Sequence, residues 1–277
     1  LRDAIARIAG DGSLAPRLGD GSRPRKVALG RRIALDHMLG GGLGRGAVHE
    51  VVAARPGDAG AACGFALALA ARFAGGTRAP VVWIVEDGAR REGGAPYAPG
   101  LAAHGLDPAR LVMVRTMTGA DTLWAMEEAL KCRALAAVVA DLWRGKTYDL
   151  VASRRLVLAA RKGAVPGILT LAGAAGGAAA LSSGARTRFE VAALHSPPVA
   201  SAGKRMPLPG RAAWAVRLAR SRAGPDGDGL VGLDWEKFWP LVWDHTEARF
   251  CDALPLPPPA LPRDRPHPPA ARSRRAA

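Results

Sequence analysis

Short apolar runs separated by helix-length stretches constrain this chain more than any other feature. Val48 to Val52, Pro80 to Val85, Leu111 to Val114, Leu135 to Ala140 and Gly167 to Leu171 are runs rich in β-branched and other apolar residues. A strand with one wet face alternates apolar with polar residues, whereas these runs are close to continuous and predict strands buried on both faces. Between them, Ala61 to Phe73, Thr118 to Cys132 and Tyr148 to Arg161 carry apolar residues at helical spacing, such as Leu123, Met126 and Leu130, with Asp121 placed to cap. The alternation predicts one α/β domain with a mainly parallel central sheet flanked by helices. Arg186 to Leu194 and Trp214 to Arg220 alternate apolar with polar residues and read as edge strands.

The 277 residues suffice for one large domain with a tail, and a hydrophobic content of 49% supports a sizeable core. No apolar run is long enough to predict a membrane span, and the expectation is a cytoplasmic protein. Cys63, Cys132 and Cys251 lie far apart without metal-ligand spacing and read as reduced thiols. The six histidines are scattered, so neither a metal nor any other cofactor is called for. The formal charge of +15 suits a nucleic-acid surface, but an arginine-, alanine- and proline-rich composition also follows from a GC-rich genome.

The chemistry-bearing segment runs from Ala28 to Cys63. A turn with Leu35 and Asp36, glycines 40 to 42 and Gly46 lead into a strand bearing His49 and Glu50. A nucleotide-binding loop would then end in Gly-Lys-Ser/Thr, with lysine on the terminal phosphates and the hydroxyl on magnesium. Here the loop positions are Gly57, Gly60, Ala61 and Ala62, and Arg55 stands where the first glycine belongs. Nucleotide hydrolysis loses both of its protein ligands at Ala61 and Ala62. Glu86 and Asp87 follow the second apolar run, at the place of a water-activating carboxylate. Asp141 closes the run LAAVVAD like a magnesium-binding Walker B aspartate, and all three read as vestiges.

The approach Leu39–Glu50 (LGGGL-x-x-GA-x-HE), Tyr97–Leu101, Gly105–Leu111, Leu123–Leu130 and Ala152–Leu156 together resemble the ImuA family, RecA-like accessory proteins of bacterial inducible mutagenesis. The resemblance spans roughly residues 27 to 250. It implies a single RecA-like core over 27–253, while helical spacing and Gly/Pro content predict a helix and connector over 1–26, and Pro/Arg-rich composition predicts a disordered tail over 254–277. It further implies a non-catalytic role in SOS-induced translesion synthesis. The partners it implies are ImuB, a Y-family polymerase relative, and an error-prone replicative-type DNA polymerase, with RecA and single-stranded DNA as further candidates. The helix carrying Leu1, Ile5 and Ile8 is a candidate for self-association.

Candidate DNA contacts are Arg144, Lys146, Arg154, Arg155, Arg186 and Arg188, among which Arg154 and Arg155 sit on a predicted helix. Candidate partner contacts are Trp235, Trp239 and Trp243, spaced by four as on a helix, and the tail residues Arg272, Arg274 and Arg275. Two other readings stay open at this level: a DNA-dependent ATPase of the recombinase kind, and a basic module that binds single-stranded DNA without a partner.

Overall fold

A computed structural model describes residues 26–143, 147–171, 182–196, 210–222 and 237–253. The strands are β1 (Lys26–Val27), β2 (Leu43–Gly44), β3 (Val48–Ala53), β4 (Val81–Glu86), β5 (Leu111–Thr116), β6 (Ala137–Leu142), β7 (Gly167–Leu171), β8 (Thr187–Ala193), β9 (Ala213–Ser221), β10 (Trp239–Asp244) and β11 (Arg249–Asp252). The helices are α1 (Ala34–Met38), α2 (Ala59–Ala74), α3 (Asp87–Gly93), α4 (Ala98–Ala103), α5 (Gly119–Leu130) and α6 (Leu150–Gly163). β1 and β2 form a small ribbon, and the other nine strands form one sheet in the order β11-β10-β9-β8-β3-β7-β6-β4-β5.

The six strands from β5 to β8 in that order run parallel, and β9, β10 and β11 extend the sheet antiparallel. The expected α/β architecture, with a mainly parallel central sheet flanked by helices, is therefore present. Period-2 alternation in β3 sends Val51 and Ala53 to the face covered by α2 and Val48 and Val52 to the face covered by α5 and α6. β3, β6 and β7 are buried along their whole length, the physical reason their sequences are mostly apolar and their buried His49, Glu50, Asp141 and Thr170 are hydrogen-bonded.

Local signals explain where the helices begin. Thr118, rather than Asp121, is the N-cap of α5, accepting from the Asp121 N–H (3.2 Å) while its hydroxyl donates to the Asp121 carboxylate (2.7 Å). Asp149 caps α6 through the Ala152 N–H at 2.7 Å. The two helices cross so closely that a Cβ on Gly163 would overlap the Leu130 carbonyl oxygen. The early Leu35-Asp36 turn is structural: the buried Asp36 carboxylate accepts from the Leu29 (2.8 Å) and Gly30 (2.9 Å) N–H groups.

Two expectations are corrected. β8 and β9 are internal strands, and β5 and β11 are the edges. Their alternation reflects a thinly covered face instead: Trp214, Val216 and Leu218 are buried, while Arg217 and Glu190 pair across β8 and β9 half-buried. The tryptophan run is also not helical, because Trp239 and Trp243 lie on β10. A spacing of four returns a residue to the same face in a strand as well as in a helix, so it could not discriminate. Trp243 is core, packed edge-on against Phe250 and stacked on His104, so it offers no docking surface; Trp239 is half-buried beneath the Lys237 ammonium.

Among the described residues, no helix is long and apolar enough to cross a membrane. The expected helix over 1–9 and the tail over 254–277 lie outside the described residues.

Buried His49 carries a pH consequence. Its Nε2 donates to the Gly44 carbonyl (2.9 Å), which leaves Nδ1 to accept from the Thr187 hydroxyl (2.8 Å). Burial is the main reason its pKa falls to about 4, outweighing the Gly44 bond that raises it. Below its ordinary value of 6.5 the unfolded chain takes a proton that the folded chain refuses, so stability is full above pH 6.5 and lost as pH falls toward 4. From pH 7 to pH 5 this amounts to about 2 kcal/mol. His104, also depressed by burial, acts in the same direction. Urea unfolding at the two pH values should show a smaller loss for His49→Gln than for the unchanged protein, and equal losses would contradict the assignment.

Candidate functional site: the degenerate phosphate loop

β3 aims the chain at the place where a nucleotide loop would begin, but the segment that follows is wound differently. Arg55 is extended (φ −138, ψ 160), Pro56–Asp58 form a 3-10 turn, and α2 starts at Ala59. Gly57 therefore lies in the turn and Gly60, Ala61 and Ala62 in the first turn of α2. An anion nest needs successive N–H groups turned inward by a left-handed residue. No residue from 54 to 62 has positive φ, and a Cβ on Gly57 or Gly60 would touch nothing within 4 Å.

The α2 N-terminus carries its own anion. The buried Asp58 carboxylate accepts from the Ala193 N–H of β8 (2.9 Å) and from Arg55 Nε (3.0 Å). Burial raises its pKa, but the Ala193 and Arg55 bonds outweigh this and hold it below the usual carboxylate range. The partial positive charge of a helix N-terminus thus faces a fixed carboxylate, and a nucleotide phosphate brought to this turn meets like charge.

The neighbouring Walker B position is closed by side chains. Register pairs Asp141 on β6 with Thr170 on β7. Its carboxyl accepts from the Thr170 hydroxyl, from Trp83 Nε1 of β4 (3.0 Å) and from Cys63 Sγ of α2 (3.6 Å). Burial raises the Asp141 pKa against the lowering effect of these three donors, and burial followed by the Asp141 charge raises that of Cys63. Asp141 binds an indole, a hydroxyl and a thiol, and Ala62 has no hydroxyl to add. The residues present do not fit a magnesium–nucleotide complex.

The remaining carboxylates hold the framework. Glu86 accepts from the Trp143 N–H (2.8 Å), tying the end of β4 to the exit of β6. Asp87 opens α3 and pairs with Arg90 (3.1 Å) and Arg91 (2.6 Å). Glu86 and Asp87 reach neither Asp141 nor Asp58 through any described hydrogen bond.

The candidate basic residues separate into distinct settings. Arg154 and Arg155 are exposed on α6, Arg155 pairing with Glu127 of α5 at 2.6 Å, and Arg186 is half-buried. Arg188 is corrected as a DNA contact: it is 2% exposed, and its Nε donates to Glu50 at 2.5 Å. Arg144, Lys146, Trp235, Arg272, Arg274 and Arg275 lie outside the described residues.

Sequence reasoning missed what Glu50 does. It is cross-strand partner of Arg188, and its other oxygen accepts from the Tyr148 hydroxyl (2.6 Å), while Arg188 Nη2 donates to Ser183 Oγ (3.2 Å). The available signal was an acid in the middle of VHEVV, where a buried strand should carry none without a partner.

No protein-family model matches the chain. It is 36% identical over 201 residues to Protein ImuA of Caulobacter vibrioides strain NA1000 / CB15N, covering 69% of this chain and 77% of that protein. Protein ImuA of strain ATCC 19089 / CIP 103742 / CB 15 matches to the same extent. Among solved structures, the RadB recombinase aligns at 15% identity and a TM-score of 0.49, covering 79% of this chain and 96% of that one.

Proposed function

Because the chain belongs to the ImuA family, we propose that it is a non-catalytic accessory protein of SOS-induced, error-prone translesion DNA synthesis that works by binding its partners. The observation that carries the non-catalytic part is the closed Walker B position. Asp141 is buried against Trp83, Thr170 and Cys63, beside a helix start that lacks lysine and hydroxyl at Ala61 and Ala62. Phosphoryl transfer depends on positioned cations, and at these positions the scaffold supplies a methyl, an indole and a carboxylate. The partners in this reading are an ImuB-type polymerase relative and an error-prone replicative-type polymerase, which rest on family membership. RecA is a further candidate. The cytoplasm follows as the compartment of such a complex.

The test is nucleotide turnover with and without single-stranded DNA, together with co-purification of the polymerase partners. The expected outcome is no turnover above background. One millimolar MgATP should move Tm by less than about 2 °C, because a ligand at or below its Kd adds at most about 0.4 kcal/mol. DNA-stimulated hydrolysis would replace this reading with that of a recombinase-type ATPase. Absence of any polymerase partner from co-purification would remove the translesion assignment.

A further inference from the structure

α6 has the sequence LVASRRLVLAARKG, with basic residues and no acid. Its buried stripe is Ser153, Leu156, Ala159, Ala160 and Gly163. The residues left outside are not the wholly polar set of an ordinary solvent-facing helix. Val151 is 66% exposed and Leu158 63%, and a separation of seven residues puts them on one line about 10 Å long. Arg154 stands between them on that line, and Arg161 follows Leu158 by one turn.

α5 and α6 follow the parallel strands β5 and β6, so they run in the same direction, and they meet closely where Gly163 faces the Leu130 carbonyl. Arg155 reaches across from α6 to Glu127 of α5 at 2.6 Å. Trp124 precedes Glu127 by one turn, and Val151 precedes Arg155 by one turn. The two apolar residues therefore sit at the same level beside the ion pair. Trp124, Val151 and Leu158, all exposed, form an apolar seam over two helices with an indole at one end.

The charge around this seam is one-sided. Glu127 is shared between Arg155 and Lys131, and Glu128 pairs with Lys131. Asp121, a turn before Trp124, accepts from the Thr118 hydroxyl. Arg154, Arg161 and Lys162 are exposed, and among the described residues no carboxylate forms an ion pair with them. We propose that the seam docks an amphipathic helix of another protein, one whose apolar stripe is flanked by glutamates or aspartates. Such a helix presents anchors at i, i+3 or i+4 and i+7, a span of about 10 Å that matches Val151 to Leu158. Trp124 supplies the aromatic anchor on which docking energy concentrates, and the acidic flanks meet Arg154 and Arg161. Charge disfavours the other occupants. The chain's own segments 1–25 and 254–277 each carry more arginine than acid, and a second copy brings a formal charge of +15. A nucleic acid satisfies the arginines but gains nothing from Val151 and Leu158.

Anisotropy of a labelled synthetic peptide tests the seam without any polymerase, so this reading and the translesion reading fail separately. The probe is an alanine-based helix of about 20 residues, with leucine at i, i+3, i+4 and i+7 and glutamate on both sides of that stripe. The full chain should bind it, and a peptide with lysine for each glutamate should bind at least about tenfold more weakly. Trp124→Ala should weaken the glutamate peptide by about tenfold or more, and Leu158→Ala by less. Tyr97→Ala, which removes an exposed aromatic ring outside α5 and α6, should leave binding unchanged. Arg154→Gln with Arg161→Gln should weaken the glutamate peptide and flatten its salt dependence, with no effect on a peptide carrying glutamine instead. No binding of the glutamate peptide, equal binding of the lysine peptide, or an equal loss in Tyr97→Ala would each overturn the proposal. Self-association that Trp124→Ala abolishes would give the seam to a second copy. Binding of a single-stranded oligonucleotide that Trp124→Ala abolishes would give it to nucleic acid, and either result is equally fatal. If Trp124→Ala does not fold, the glutamate and lysine peptides compared on the unchanged protein still decide.

Discussion

Glu50→Ala destabilises the protein by about 3–5 kcal/mol, because it leaves the Arg188 guanidinium buried without its anion. Glu50 is 0% exposed and Arg188 2%, and the pair is set by sheet register, with 2.5 Å between Nε and the carboxylate. The same substitution strips the Tyr148 hydroxyl of its acceptor, and burial together with the nearby carboxylate already pushes that phenol well above its ordinary pKa. A half-removed buried network costs more than one removed whole. The double variant Glu50→Leu, Arg188→Met should therefore recover most of the loss. Chemical denaturation of the two single variants and the double variant measures the coupling directly. Additive losses would mean that the pair contributes nothing as a pair.

Phe65→Ala is expected to cost a similar amount, about 3–5 kcal/mol. Phe65 is fully buried on α2, with ring centroids 5.2 Å from Phe250, 5.5 Å from Phe189 and 5.9 Å from Trp214. It thereby joins α2 to β8, β9 and β11. Truncation removes the apolar burial and leaves a cavity among rigid rings that cannot close over it. Trp124→Ala, at 58% exposure on α5, removes a larger side chain and should change stability by less than about 1 kcal/mol. Equal midpoint shifts for the two variants in urea would refute this account of the core.

The closed phosphate loop changes which parts of the surface carry function. In a working nucleotide site, loops respond to the terminal phosphate. Here Asp58 is fixed to Ala193 and Arg55, and Asp141 to its three donors. Large apolar side chains are exposed elsewhere, with Trp124 on α5, Val151 and Leu158 on α6, and Tyr97, Met113, Met117 and Phe238 outside those helices.

The sequence by itself determined the central sheet. A strand covered on both faces is mostly apolar, so β3, β4, β6 and β7 were legible in Val48–Val52, Pro80–Val85, Leu135–Ala140 and Gly167–Leu171. The missing lysine and hydroxyl at Ala61 and Ala62 were equally plain, since a motif of fixed spacing needs no partner from elsewhere in the chain. Tertiary structure alone decided three other matters. It put Trp239 and Trp243 on a strand, because a spacing of four fits both periods and only the pairing of β10 with β9 and β11 distinguishes them. It removed Arg188 from the surface, because the residue that neutralises it is 138 positions away and meets it only through the β3–β8 register. It showed why Asp141 is closed, because Trp83, Cys63 and Thr170 come from two other strands and a helix. Periodicity is a property of neighbouring residues and can be read along the chain, whereas the burial and pairing of a charge depend on which distant segments the sheet places beside it.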